Sequence, residues 1–220
     1  SYDRQDSSGS WRLVAGGQRR TAVLRGAIAS SNGGRTARNV IRCGGPLMCG
    51  IVACRTSGPV IDYLRIALRR LEYRGYDSVG VAVRTHDGGV ARIRTVGRIE
   101  ALDQLIVEYS GLELGAVGIG HTRWATHGSV AESNAHPHID CTGDISLVHN
   151  GVIENANQLR DALMIAGHKF ASDVDSEVLC HLIEDERAVR IDLLSAVEAA
   201  LVAVEGSWAL AVLEHGTGRL

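Results

Sequence analysis

From residue 49 onward the apolar positions follow two rhythms, one with the period of a strand and one with that of a helix. Gly50-Ile-Val-Ala-Cys54 is a short continuous apolar run, the pattern of a buried strand. Ser57-Gly58-Pro59 opens a helix, with Pro early, where its missing N–H costs nothing; Ile61, Leu64, Leu68 and Leu71 give that helix one apolar face, and Gly75 ends it. Val79, Val81 and Val83 alternate with small or polar residues, which predicts a half-buried strand. Asp87-Gly88-Gly89 is a hairpin turn, and Val90 to Val96 return as the partner strand. Leu102, Leu105, Ile106 and Tyr109 predict a helix over 100–109, and Ala116 to Arg123 a strand running into a polar loop. Asp144 to His149 predict a strand that ends at Asn150-Gly151. Helices follow from about Asn155, with Leu159, Ala162, Leu163 and Ala166 inward and Gly167 closing it, then over Asp175–Glu186 and Ile191–Val204. Ser207 to Glu214 is a nearly all-apolar strand that needs cover on both faces.

Strands come in adjacent pairs with hairpins, and helices come in groups. That order predicts an α+β fold with antiparallel sheets rather than a repeated strand–helix–strand unit. Gly115-Ala-Val-Gly118-Ile-Gly120 has glycine spacing but continues into a strand, so it is not a phosphate-cradling loop.

Residues 1–47 differ from the rest. They carry eight Arg against two Asp, a net charge of +6, which leaves −8 for the remainder of a chain whose total is −2. Gly, Ser and Arg dominate there, no apolar period is sustained, and the composition predicts a disordered leader or upstream sequence ahead of a start at Met48. The near-neutral total gives no electrostatic reason to expect nucleic acid or a membrane surface. No apolar run approaches the roughly 20 residues of a spanning helix. Five Cys, at 43, 49, 54, 141 and 180, form no ladder or paired spacing, so the expectation is free thiols in a reducing, cytoplasmic setting.

The densest polar stretch runs from His121 to His138, and five His (121, 127, 136, 138 and 149) fall within it or just beyond. Zinc sites usually show tight pair spacings with Cys or acidic partners, whereas these His are spread over loops with Arg123 among them; the reading is no metal and no cofactor. A small amphoteric ligand fits better. Arg123 suits a carboxylate and Asp175, near a helix start, suits an ammonium. Asn150-Gly151 offers an amide and a backbone N–H to a developing oxyanion. Met48-Cys49 reads as an initiator Met followed by a Cys. If Cys49 were the first residue of the mature protein, its thiol and α-amino group would set a nucleophile and a base on one residue. Each piece alone has an ordinary reading: a turn, a solvated Arg, a helix-favouring Asp, a small core Cys. Their joint occurrence points to an amide hydrolase acting on an amino acid.

The stretches MCGIVA, RRLEYRGYDSVGVAV, GIGHTRWATHG, NAHPH, LVHNGVIEN and SDVDSEVL, from Met48 into the helix after Asp175, resemble the glutaminase domain of the glutamine–fructose-6-phosphate aminotransferases. Weaker similarity continues to Leu220. The resemblance implies an N-terminal-nucleophile (Ntn) hydrolase fold, a four-layer αββα sandwich that would be incomplete at its C-terminus, with 48–220 as the glutaminase domain and the sugar-isomerase domains absent. It implies that Cys49 attacks the side-chain amide of L-glutamine through a thioester, with its own α-amine as base. Asn150 and Gly151 would form the oxyanion hole. Arg123, Thr126, His127 and Asp175 would bind glutamine, Trp124 would gate ammonia, and Arg74 and His136 would support the site. Fructose 6-phosphate would enter only through the missing domains, in a longer homo-oligomeric enzyme. The phosphoribosyl amidotransferases are the nearest enzymatic rival, and a non-catalytic remnant is the reading from outside enzymology. Because a peptide bond occupies the nitrogen of Cys49, the chain as written is expected to be inactive until processed.

Overall fold

The computed structural model describes residues 49–74, 77–109, 115–124 and 130–220, apart from the side chain of Arg74, and the backbone alone at 13–16, 22–24 and 38–43. Ten strands and five α-helices are described, in the order β1 (Leu13–Gly16), β2 (Ala22–Leu24), β3 (Arg38–Cys43), β4 (Gly50–Arg55), α1 (Ile61–Leu71), β5 (Ser78–Arg84), β6 (Val90–Val96), α2 (Ile99–Glu108), β7 (Val117–Arg123), β8 (His138–Ile139), β9 (Ile145–Ile153), α3 (Ala156–Ala166), α4 (Ser176–Val189), α5 (Leu193–Val202) and β10 (Gly206–Glu214). They form two five-stranded sheets, ordered β2-β1-β10-β9-β8 and β3-β4-β7-β5-β6. Every pairing between named strands is antiparallel.

Strand alternation builds the layers. Val52 and Cys54 of β4 and Val79, Val81 and Val83 of β5 face α1 and α2. The intervening Ile51, Ala53 and Ala82 face the other sheet, where they meet Val148 of β9 and Leu213 of β10. On the far side Ile145, Leu147, Leu210 and Val212 pack against α4 and α5. The result is helix, sheet, sheet, helix: an α+β fold in four layers. β5 is buried along both faces, not one. The residues β5 turns to that second face, Gly80 and Ala82, are small, which hides it from a hydropathy pattern.

The glycines of β7 set how closely α1 lies on its sheet. A Cβ at Gly118 would fall 2.9 Å from Leu64 Cδ1, and one at Gly120 would fall 3.0 Å from Leu68 Cδ1. Both leucines are fully buried, and burying each contributes about 1.5–3 kcal/mol. Asp103 of α2 takes Arg65 Nε at 2.6 Å and also meets Arg69, tying the two helices together at the surface.

Three expectations change. Strand β9 does not end at Asn150-Gly151 but runs through it to Ile153. Helix α3 buries only Leu163 fully; Ala162 and Ala166 are exposed, because the helix lies at the outer edge of its layer. Three short strands precede Cys49, where no regular element is predicted. β1 adds to the edge of β10, and β3 pairs with β4 so that Cys43 faces Ile51. Among the described residues no helix is long and apolar enough to cross a membrane.

Candidate active site

Cys49 immediately precedes β4, and the pairing of Gly50 with Thr122 brings it to the end of β7. Gly50 N–H donates to Thr122 Oγ1 at 3.1 Å, fixing that junction. The Trp124 backbone N–H donates to Cys49 Sγ at 3.1 Å. Burial pushes the Cys49 thiol up from its ordinary range, against the opposing pull of the Trp124 amide and the Arg123 guanidinium. A thiol held protonated in this way needs a base beside it to act as a nucleophile.

Arg123 closes β7 and is only 5% exposed, so it is not the solvated surface cation that an isolated Arg would suggest. Burial lowers its pKa, while the charges of Cys49, Asp77 and Asp175 act to raise it, so all three groups lie within its field. Asp175 sits at the start of α4 in a helical conformation, yet its side chain does not cap the helix. Instead Oδ2 accepts from the backbone N–H of Ile153 at 2.8 Å, and Oδ1 accepts from the Ser176 hydroxyl at 3.3 Å. Ser176 Oγ also meets His149 Nδ1 at 2.8 Å. A buried cation beside the thiol and an anchored carboxylate within that cation's field are together the complement of an amino-acid zwitterion.

Asn150 comes from the opposite sheet. Its Nδ2 donates to the Cys49 carbonyl at 2.5 Å. Its Oδ1 lies 2.7 Å from Nε2 of His121, which is on β7. Burial depresses His121 to a pKa of about 4, so the ring is neutral and its Nε2 proton faces Oδ1. That contact fixes which way the Asn150 amide points and directs its N–H groups towards Cys49. The next residue, Gly151, has φ +140°, and a Cβ there would lie 1.9 Å from the Ser207 carbonyl oxygen. Asn-Gly is therefore a tight crossing of β9 against β10 and not a hairpin turn. His121 was not among the residues assigned a role from sequence. Its part depends on a contact between two sheets, for which its place in a polar stretch is the only sequence signal.

The His-rich stretch folds into a buried stack. The rings of His121 and His136 lie 4.3 Å apart and those of His136 and His138 4.6 Å apart, centroid to centroid. Burial holds His138 at about 3 and His136 well below its ordinary value, so all three are neutral. His149 is turned to Ser176 instead. Trp124 is 44% exposed at the edge of the site. Thr126, His127 and the side chain of Arg74 lie outside the described residues. Among the described residues, the one group of three or more His, Cys, Asp or Glu able to share an ion is Cys141, His168, His181 and Glu184, none of which the sequence reading singled out. Its one periodic signal is His181 and Glu184 at i, i+3 on α4.

Residues 121–220 match the family model described as a glutamine amidotransferase domain. A glutamine–fructose-6-phosphate aminotransferase (isomerizing) of Shewanella oneidensis is 47% identical over 168 residues, which is 76% of this chain and 27% of the relative. One from Thermus thermophilus is 49% identical over 165 residues, 75% of this chain and 26% of the relative. A third, from Pyrococcus horikoshii, is 46% identical over 167 residues, 76% and 27%. The chain thus spans about a quarter of the length of these curated relatives. Among solved structures, the glutamine phosphoribosylpyrophosphate amidotransferase of B. subtilis, complexed with ADP and GMP, superposes with a TM-score of 0.58 at 27% identity, covering 76% of this chain and 35% of that one. A structure described as the allosteric regulatory enzyme of purine biosynthesis gives 0.60 at 28% identity, covering 76% and 35%.

Proposed function

Because the chain belongs to the glutamine amidotransferases and has their Ntn-hydrolase fold, we propose that Cys49, once its nitrogen is free, hydrolyses L-glutamine to glutamate and ammonia. The observation that carries this reading is the convergence on Cys49 of Asn150 from the facing sheet, with its amide oriented by His121. The Cys49 sulfur attacks the side-chain carbonyl carbon, and its proton passes to the α-amine of the same residue, whose reference pKa near neutrality suits a base. Negative charge gathers on the carbonyl oxygen, where Asn150 Nδ2–H and the Gly151 N–H would receive it. The carbon–nitrogen bond breaks, the amine returns its proton to the leaving group, and ammonia departs. Water then cleaves the γ-glutamyl thioester. Arg123 holds the substrate carboxylate and Asp175 its ammonium. Thr126 and His127 line the pocket, and Trp124 screens the route by which ammonia leaves. Arg74 and His136 support the pocket around Cys49.

The catalytic unit begins at Cys49; residues 1–47 are a leader, although β1 and β3 within it pair with β10 and β4, and the Met48–Cys49 peptide bond blocks the amine. In a longer protein of the relatives' kind, the ammonia would go to fructose 6-phosphate to make glucosamine 6-phosphate, within a homo-oligomer. The sugar-phosphate branch is favoured over the phosphoribosyl branch by the higher identity to the former, 47% against 27%. The free thiols of Cys49, Cys54, Cys141 and Cys180 suit a reducing, cytoplasmic setting.

The test compares the intact chain with one whose N-terminus is Cys49, each verified by mass spectrometry. The second should release glutamate from glutamine and be labelled at Cys49 by 6-diazo-5-oxo-L-norleucine; the first should do neither. Equal turnover by both would overturn the amine-as-base step. No turnover and no labelling in either would overturn the glutaminase reading.

A further inference from the structure

Away from the Cys49 pocket, four side chains from three segments turn towards one point. Cys141 lies in the turn between β8 and β9, His168 follows α3, and His181 and Glu184 lie one helical turn apart on α4. Cys141 Sγ is 3.5 Å from His168 Nδ1 and 3.5 Å from His181 Nδ1. Glu184 Oε2 is 3.1 Å from each of the same two nitrogens. All four donor atoms lie within 4.8 Å of one another.

These separations match the edges of a zinc tetrahedron. Zinc binds sulfur at about 2.3 Å and nitrogen or oxygen at about 2.0–2.2 Å, so tetrahedral angles set sulfur and nitrogen about 3.5 Å apart and nitrogen and oxygen about 3.3 Å apart. The proton positions point the same way. His168 Nε2 faces Asp185 Oδ1 at 2.9 Å, and His181 Nε2 faces Glu177 Oε1 at 3.9 Å. A carboxylate only accepts, so a His168 that donates through Nε2 to Asp185 turns its Nδ1 lone pair inward, whereas His181 Nε2 lies too far from Glu177 for a hydrogen bond. With both Nδ1 atoms unprotonated, two lone pairs, a sulfur and a carboxylate oxygen converge, the sulfur also accepting the Lys169 N–H at 3.4 Å and the carboxylate the Cys141 N–H at 3.1 Å. A dication at the centre satisfies all four, and an outer carboxylate on a ligating imidazole, as Asp185 is on His168, is the usual support of such an ion. Glu177 is itself held by the N–H groups of Ala171 at 2.9 Å and Ser172 at 2.7 Å.

We propose that Cys141, His168, His181 and Glu184 bind one divalent zinc ion through a sulfur, two Nδ1 atoms and a carboxylate oxygen. The mix of sulfur and imidazole selects a borderline-soft transition metal over magnesium or calcium, which prefer oxygen. Four protein ligands make the site structural rather than catalytic. His181 is buried and Cys141 exposed, so the ion enters from the Cys141 side. Once bound it clasps the β8–β9 turn and the α3–α4 loop onto α4, the helix that starts beside Asp175. This assignment does not depend on the glutaminase reading.

The test uses the 220-residue chain, stripped with a chelator and titrated separately with Zn(II) and Co(II). One zinc per chain should survive gel filtration, and X-ray absorption should resolve one sulfur at about 2.3 Å and three nitrogen or oxygen neighbours at about 2.0 Å. The Co(II) form should show a thiolate charge-transfer band and the intense visible bands of a tetrahedral ion. Cys141→Ser should lose the thiolate band, His168→Gln should weaken zinc retention by more than the about 10–100-fold typical of losing an outer-shell partner, and Cys49→Ala should change neither. No retained zinc, an absorption spectrum without sulfur, or a thiolate band that survives Cys141→Ser would overturn the site and leave a hydrogen-bonded cluster. The spectrum of the unmutated chain decides the matter even if both ligand variants misfold.

Discussion

Cys49 and Cys141 each accept a backbone N–H at sulfur, yet the side chains around them differ: Cys49 lies in the field of the Arg123 cation, whereas Cys141 faces two imidazoles. At Cys49 the sulfur receives a backbone N–H from Trp124 and lies in the field of Arg123. The imidazole nearest in the network, His121, spends its proton on Asn150. At Cys141 two imidazole nitrogens and the Lys169 N–H meet the sulfur, and the Glu184 carboxylate oxygen lies within 4.8 Å of it. Donors around a thiol stabilise the charge it develops when it attacks. Imidazole and carboxylate groups gathered around a thiol are the ligand set of a shared cation. Histidine count alone separates nothing: the His121–His136–His138 stack holds more imidazoles, and burial holds all three below their ordinary pKa.

The largest expected effect breaks the first site and spares the second. In a chain beginning at Cys49, Cys49→Ala should lower the rate of glutamate release by more than about 10³-fold, the scale of removing a nucleophile. Bound zinc should stay at one per chain. Measuring both on one preparation checks the separation, and a joint loss would mean that the variant had unfolded or that the sites are one. Next in size is Asn150→Ala, with an expected loss of about 10²–10³ in kcat and little change in KM, because the amide meets charge that exists only in the transition state. His121 acts one step behind it. His121→Phe removes the contact that orients Asn150 and should cost about tenfold in kcat, while His121→Gln, which keeps a donor, should recover most of it. A rise in KM at constant kcat would move His121 from positioning to substrate binding.

Much of this architecture is legible in the residues, and the failures have physical reasons. β4, β7 and β10 stand out as apolar runs, and α1 declares itself through Ile61, Leu64, Leu68 and Leu71, all of which are buried. The continuation of β9 does not, because Asn150-Gly151 has the composition of a turn while Gly151 serves a close approach to Ser207. β1 to β3 do not either, since strands of three to six residues carry too little period to read. In the site, Arg123 and Asp175 could be proposed from charge and position. His121 could not, since its partner Asn150 lies in another sheet. Cys141 and His168 lie in two different loops, and only the fold brings them to His181 and Glu184.

A smaller effect follows from pH. His121 titrates at about 4 in the folded chain, below its unfolded value of about 6.5, and His138 at about 3. The folded state therefore binds fewer protons than the unfolded state between those values. Their contribution is complete above about pH 6.5, shrinks as pH falls, and ceases to change below about 4 for His121 and about 3 for His138. Tm should fall steadily from pH 7 to pH 4.5, and His138→Gln should flatten part of the slope. A level Tm across that interval would mean that the stack is not buried.

The smallest effect on turnover is expected from Cys141→Ser. His181 and Glu184 lie five and eight residues beyond Ser176 on α4, about 7.5 and 12 Å along the helix at 1.5 Å per residue. Any influence on Asp175 must therefore travel through the placement of α4. That placement has other holds. Asp175 accepts from Ile153, Glu177 from Ala171 and Ser172, and Val178, Leu179, Cys180 and Ile183 are fully buried. In a chain beginning at Cys49, kcat and KM should stay within about twofold of the parent, the scale of a small structural adjustment. Stability should respond more. An ion present at a hundredfold over its Kd contributes about 2.7 kcal/mol, or about 5–10 °C in Tm for a chain of this size. That increment should vanish in the variant. A tenfold loss of kcat with the fold intact would show instead that the clasp on α4 sets the position of Asp175, and that the two cysteines, for all their difference in chemistry, share one element.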